Sequence, residues 1–133
     1  MNTLNENYKA ISLIRPKSIT ATETGTGVDV TQYEDDCMAT MHLGALGGTT
    51  ETFIGTIETS VDGGSNYTTA LTFGTITGAE DNYSAAGRVN LSGVTHIRGK
   101  IAMSSTSASL VSMSILVRAK TGGATTNSTT PAA

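Results

Sequence analysis

Apolar and polar residues alternate with a period of two through most of the middle of this chain. The run from Thr49 to Phe73 reads as two strands around a tight turn. Before the turn, Phe53, Gly55 and Ile57 fall on one face, with Thr52, Thr56 and Glu58 on or near the other. After it, Tyr67, Thr69, Leu71 and Phe73 share a face. Successive side chains of a strand point to opposite sides, so this is the pattern of a half-buried pair. Asp62-Gly63-Gly64-Ser65-Asn66 lies between the strands and supplies residues that tolerate positive φ or hydrogen-bond to their own backbone.

The same period recurs on both sides. Asp35 to Leu43 predicts a strand with Cys37, Ala39, Met41 and Leu43 inward and His42 outward. Thr95 to Met103 sets Thr95, Ile97, Gly99, Ile101 and Met103 against His96, Arg98 and Lys100, and Leu110 to Arg118 turns Val111, Met113, Ile115 and Val117 inward. These last two strands predict a hairpin of neighbours in one sheet. Ile11, Leu13 and Ile14 form a short apolar segment interrupted by Pro16. Proline cannot donate to a ladder, so an edge strand or a strand end is expected there. Glu23 to Gly27 reads as a turn, Val28 to Glu34 as a short strand and a corner, Gly78 to Gly87 as a polar loop, and Arg88 to Leu91 as a short strand.

No stretch of about ten residues carries a helical period, and no repeat recurs at roughly 20–50 residues. About eight short antiparallel strands divided by Gly- and Ser-rich turns predict an all-β chain, a single β-sandwich or jelly-roll-like domain. The expected organisation is an extended N-terminal arm and first edge strand over 1–16, the sandwich over 17–119, and a Gly/Thr/Ser-rich C-terminal tail over 120–133.

Composition sharpens this picture. With 133 residues one domain is expected, and 24 threonines and 15 glycines fit strands and turns. Leu, Ile, Val and Phe total only 26, but the net charge of −3 is too small for a disordered chain, so the expectation is a folded domain with a thin core that gains stability by association. A pI near 5.2 and 14% charged residues argue against a nucleic-acid footprint. The N-terminus lacks the basic and apolar regions of a signal peptide, and no run approaches the ~20 apolar residues of a membrane span. A soluble protein made in a cytoplasm, with neither membrane nor nucleic-acid partner, is expected.

No catalytic, cofactor-binding or metal-ligating residue stands out. The single cysteine, Cys37, excludes an intramolecular disulfide and alternates with core positions, so a buried thiol is expected. His42 and His96 fall on outward faces. Glu34-Asp35-Asp36, with Asp29 nearby, offers oxygen ligands for calcium, against the simpler reading of a solvated strand entrance. Asn66, Asn82, Asn90 and Asn127 each begin an Asn-x-Ser/Thr triplet, expected by chance in so Thr- and Ser-rich a chain. Ser60-Val61-Asp62-Gly63-Gly64-Ser65-Asn66-Tyr67 is similar to the Asp-box hairpin, with Tyr67 in place of Trp. In that motif Asp and Ser brace the turn above the aromatic ring, and a single copy indicates a hairpin and not a glycosidase.

One combination resembles a family. Gly27-Val28-Asp29-Val30-Thr31-Gln32-Tyr33-Glu34, then Ser60-Val61-Asp62-Gly63-Gly64, then Thr95-His96-Ile97-Arg98 and a closing apolar strand are similar to small β-sandwich proteins encoded among the structural genes of tailed bacteriophages. His96 stands where that family usually has Tyr, and the resemblance spans about residues 25–118. It implies a non-enzymatic virion component made in the host cytoplasm. The expected role is a capsid decoration (cement) protein on the outer head surface, with the major capsid protein as partner and a dimeric or trimeric homo-oligomer as its form. The alternatives are a head–tail connector or tail-associated protein and, in another class, a carbohydrate-binding module. The last needs aromatic platforms, for which Tyr8, Tyr33 and Tyr83 are the residues expected free of the core.

Overall fold

The structure, a computed structural model, describes residues 8–46, 51–77, 82–104 and 108–118. Nine strands follow one another in the order β1 (Tyr8–Ile19), β2 (Glu23–Thr24), β3 (Val28–Asp29), β4 (Asp36–Leu43), β5 (Thr52–Ser60), β6 (Thr68–Thr77), β7 (Tyr83–Asn90), β8 (His96–Met103) and β9 (Ser109–Arg118). One sheet has the order β1-β9-β4-β7; the other has β2-β8-β5-β6, with β3 also paired to β8. All pairs are antiparallel. Since β2 and β3 lie along the same side of β8, at Ile101 and Ile97, they form one interrupted lane, and each sheet has four lanes. The chain crosses between the sheets after β1, β3, β4, β6, β7 and β8, which is the wiring of a jelly roll. The described residues are all-β, as the alternation predicted.

Inward positions of both sheets meet in one core. Met41, Leu43, Val89, Met113, Ile115 and Val117 come from the first sheet, and Phe53, Ile57, Ile97 and Ile101 from the second, all essentially without solvent exposure. Two glycines set how closely the sheets approach. A Cβ on Gly55 of β5 would collide with the sulfur of Met41 on β4, and a Cβ on Gly99 of β8 with the sulfur of Met113 on β9. Each methionine therefore fills the space that a side chain opposite it would need, and the flexible thioether suits such an irregular gap.

Several elements differ from expectation, each for a physical reason. β1 does not stop at Pro16. It continues to Ile19 as the edge strand of its sheet, with a break in register between Ser12 and Ile14 and another between Ile14 and Lys17. Arg15 and Pro16 both lie opposite Ser112, so the proline sits in a bulge, where a ladder bond is already lost. The bulge at Leu13 places both Leu13 and Ile14 in the core.

β6 also changes phase. Ile57 pairs with Leu71 but Glu58 with Thr69, so Ala70 is an inserted residue. Thr69 accordingly shares the outer face with Glu58, while Leu71 and Phe73 pack against the core, so Tyr67, Thr69, Leu71 and Phe73 do not share one face. β7 begins at Tyr83, well before Arg88. Its small residues Ser84-Ala85-Ala86-Gly87 carry little strand propensity, but β4 pairs with them throughout and Leu71 packs where Gly87 has no side chain. β8 and β9 are not a hairpin within one sheet: β8 pairs β5 and β9 pairs β4 and β1. Alternation along a strand identifies its buried face but carries no information about which sheet it joins. Glu23 and Thr24, expected in a turn, form β2 against Lys100 and Ile101. The arm at 1–7, the tail from Lys120, Glu80, Asp81 and Asn127 lie outside the described residues.

Gly55→Ala is expected to lower the unfolding free energy by about 1–3 kcal/mol through overpacking against Met41. Combining it with Met41→Ala should cost less than the sum of the two single changes, read from urea unfolding curves. Additive costs would show that the two side chains do not contend for one space.

Candidate interaction surfaces

The hairpin joining β5 and β6 is a closed hydrogen-bond network. Ser60, buried although polar, donates from Oγ to Asp62 Oδ1 at 2.7 Å and accepts from the Gly64 N–H at 2.9 Å. Asp62 accepts from the backbone N–H groups of Ser65 at 3.2 Å and Asn66 at 3.0 Å, and from Asn66 Nδ2 at 2.8 Å. The Gly63 N–H donates to Thr95 Oγ1 at 3.0 Å, tying the turn to the residue that precedes β8. Gly63 and Gly64 have φ of 80° and 90°, which a Cβ would disfavour. The Asn66 side chain, then the Ser60 hydroxyl, hold the Asp62 carboxyl well below the usual carboxylate range. These groups are consumed in bracing the turn, as in the Asp-box. Tyr67 is only partly exposed. Its ring lies under the Arg98 guanidinium, 4.0 Å from centroid to Cζ, and Arg98 Nε is 2.6 Å from Glu58 Oε1.

The other polar candidates disperse. Asp29 accepts from the Thr31 N–H at 2.9 Å and hydroxyl at 2.7 Å, which lowers its pKa, the backbone bond being the larger cause. Asp35, at φ 66°, lies 3.5 Å from Arg118 Nη1, while Asp36 accepts from Asn90 Nδ2 at 3.2 Å. Among the described residues no three His, Cys, Asp or Glu side chains converge to hold a metal ion. Cys37 is buried, and burial pushes its thiol pKa up. His42 is exposed on β4 with Nδ1 2.8 Å from Ser84 Oγ. His96 lies on the outer face of β8 opposite Asp29, and its Nδ1 has no hydrogen-bond partner among the described residues. Tyr33 is buried, a correction to its expected freedom, and Tyr83 packs against the core, which leaves Tyr8 as the exposed tyrosine.

Three of the four sheet edges are blunted. β1 is twice bulged and carries Pro16 and exposed Lys9 and Lys17; β6 is bulged at Ala70 and again where Phe73 and Gly74 oppose Gly55; the β2–β3 lane has only two-residue strands. Such edges resist addition of another strand.

The broad outer face of the β1-β9-β4-β7 sheet is different. Cross-strand rows run Ala10–Leu116–Met38–Arg88, then Ser12–Ser114–Thr40–Ala86, then Ser112–His42–Ser84. Leu116, Met38 and Leu110 are 45%, 41% and 49% exposed, and Tyr8 stands at the end of β1 opposite Arg118. A shallow pocket of about 290 Å³ opens on this side among Pro16, Lys17, His42, Leu110 and Ser112, with an almost wholly apolar lining. It adjoins the bulge at Arg15 and Pro16. Sequence alternation marks these positions as outward, but only the lateral order of strands brings Leu116, Met38 and Ala10 into one row.

No family model and no curated protein matches this sequence. Solved structures do share the fold. The capsid protein in infectious bursal disease virus T=1 particles superposes with a TM-score of 0.57 at 14% identity, covering 86% of this chain and 32% of that one. The same virus's VP2 subviral particle gives 0.56 at 15% identity, covering 86% and 33%. A protein of Bacillus endospore appendages, described as disulfide-linked pili, gives 0.51 at 15% identity, covering 85% and 88%. This chain thus spans about a third of the viral capsid protein's length, and the likeness is one of fold.

Asp62 is expected to make stability acid-sensitive. Its folded pKa is depressed, so its contribution is present above the unfolded value of about 3.9 and is lost as pH falls through the folded value. Asp62→Asn should lower Tm near neutrality, and its gap from the unsubstituted protein should narrow below about pH 4. A gap that stays constant on acidification would show that the carboxylate charge does not brace the turn.

Proposed function

We propose that this protein is a non-enzymatic structural component of a virion, a capsid decoration (cement) protein that binds the outer head surface and stabilises the shell. The observation that carries the reading is geometric: three edges of the jelly roll are blunted, while one wide sheet face exposes Leu110, Leu116 and Met38. Contact through a face rather than by strand addition suits a tile laid on another surface. The fold shared with a viral capsid protein and the resemblance to tailed-phage structural proteins across residues 25–118 support the same reading.

In this role no bond is made or broken. Each subunit, alone or as a small homo-oligomer, spans neighbouring copies of the major capsid protein, and many modest contacts repeated over a symmetric lattice add up to firm attachment. The arm within residues 1–16 and the tail from Lys120 are proposed to reach neighbouring subunits. Burial of Tyr33 removes one of the aromatic platforms that a carbohydrate-binding module would use.

The test is stoichiometry in purified particles of the virus that encodes the chain. A copy number comparable to that of the major capsid protein, with shells lacking the protein opening at lower temperature, is expected. About a dozen copies or fewer would assign it instead to the neck or tail, where ring symmetry limits the count. Absence from particles would overturn the virion reading.

A further inference from the structure

Three edges of the sandwich are blunted, and the fourth, β7, is not. β7 pairs with β4 from Tyr83 to Asn90 without a shift in register, and it holds no proline, no lysine and a single charge, Arg88. Two bonds at the ends of β4 fix the phase of the ladder. The Leu91 N–H donates to the Asp35 carbonyl at 3.0 Å, and the Gly44 N–H donates to the Leu110 carbonyl, on the β9 side, at 2.8 Å. Odd-numbered residues of β4 therefore address β7 and even-numbered ones address β9, since backbone groups of successive residues point to opposite sides. On β7 the same rule assigns Tyr83, Ala85, Gly87 and Val89 to the β4 ladder. Ser84, Ala86, Arg88 and Asn90 turn their N–H and C=O groups away from β4, toward the open edge, and all four residues are exposed. Among the described residues these edge groups have no hydrogen-bond partner.

We infer that β7 is a self-association edge, on which a second copy of this chain adds its own β7 antiparallel, about a twofold axis at Ala86. The inference goes beyond the virion reading and does not depend on it. Twofold symmetry pairs every residue with one of the same parity, so open groups meet open groups and each face continues into the same face. Ser84 then lies opposite Arg88 of the second copy, Ala85 opposite Gly87 and Tyr83 opposite Val89. The inner row through Leu43 and Tyr83 runs on into Val89 and Cys37 of the second copy, giving half-buried Tyr83 an apolar neighbour. Centring the axis on Gly87 would set the two Arg88 side chains diagonally across the new pair, about 7–8 Å apart and poorly screened. With Ala86 at the centre they stand four residues apart along the strand, about 13 Å, beyond the screening length.

A foreign strand is the alternative occupant. Such a strand is selected by pockets for its alternate side chains. No residue of β7 lines the pocket beside Leu110, and Ser84 and Ala86 are too small to shape one. A second copy needs no pocket, because symmetry supplies the match. Pairing also stops at two, since the other three edges of each copy resist a further strand.

The experiment is sedimentation equilibrium of the purified full-length chain, with amide hydrogen exchange read on the same samples. A monomer–dimer equilibrium is expected, and the Ser84, Ala86 and Arg88 amides should exchange more slowly as the dimer fills. Ala86→Pro removes an N–H that β4 does not use, and Ala86→Lys brings two like charges together on the axis without altering the backbone. Each should weaken dimerisation by about tenfold or more, while melting shows that the monomer remains folded. Thr72→Lys, at an exposed position on the bulged β6 edge, should dimerise like the unsubstituted chain. A chain that stays monomeric up to its solubility limit overturns the inference. So does a dimer that tolerates Ala86→Lys. Slow exchange of the three amides in dilute monomer would show the edge filled within one copy, and overturns it as well. None of these outcomes bears on the count of copies in particles, so the virion reading is tested separately.

Discussion

The closeness of the two sheets is the constraint on which the rest of the structure depends. Gly55 and Gly99 leave room for Met41 and Met113, and Gly87 does the same for Leu71 across the other pair of lanes. With only 26 Leu, Ile, Val and Phe residues, the chain cannot fill a wide gap with bulky aliphatic groups. Packing a long side chain into a glycine notch recovers interior density without adding residues. Phe53 and Ile76 then close the core beside β6, while Leu13 and Ile14 close it beside β1. A side chain added at any of the three notches would collide with the methionine or leucine that fills it, and that side chain would have to shift.

The ends of the sandwich are held by polar bonds instead. Ser60 and Asp62 rigidify the β5–β6 turn, Thr95 ties that turn to the start of β8, and Asp29 caps the corner after β3. Spending hydroxyls and carboxylates on loop geometry removes them from chemistry and keeps the loops in one conformation. What faces solvent across the β1-β9-β4-β7 sheet is then a fixed arrangement of leucine, methionine, serine and arginine positions. A rigid face loses little entropy when it is covered, which favours the proposed docking role over a role requiring movement.

The strands β4, β8 and β9, and most of β5, were legible in the sequence because strict alternation of core and surface residues leaves one consistent assignment of faces. The Asp62 turn was legible too, since its residue types match the geometry it adopts. Misreadings concentrate at irregularities. The bulges at Leu13, Pro16 and Ala70 each insert a residue and invert the phase that alternation depends on. β7 was hidden because its alanines, serine and glycine have weak strand preference and gain their place from β4 and Leu71.

The sequence by itself determined that this chain forms β-strands, which residues of the regular strands are buried, and that Asp62 closes a hairpin, because these follow from local side-chain period and local hydrogen bonding. Only the tertiary structure decided that β8 and β9 belong to different sheets, that Tyr33 is buried, and that five basic residues share one sheet. Those outcomes depend on which strands lie side by side. Lateral order arises from pairings between residues far apart in the chain, such as Met38 with both Leu116 and Arg88, and no local pattern encodes them.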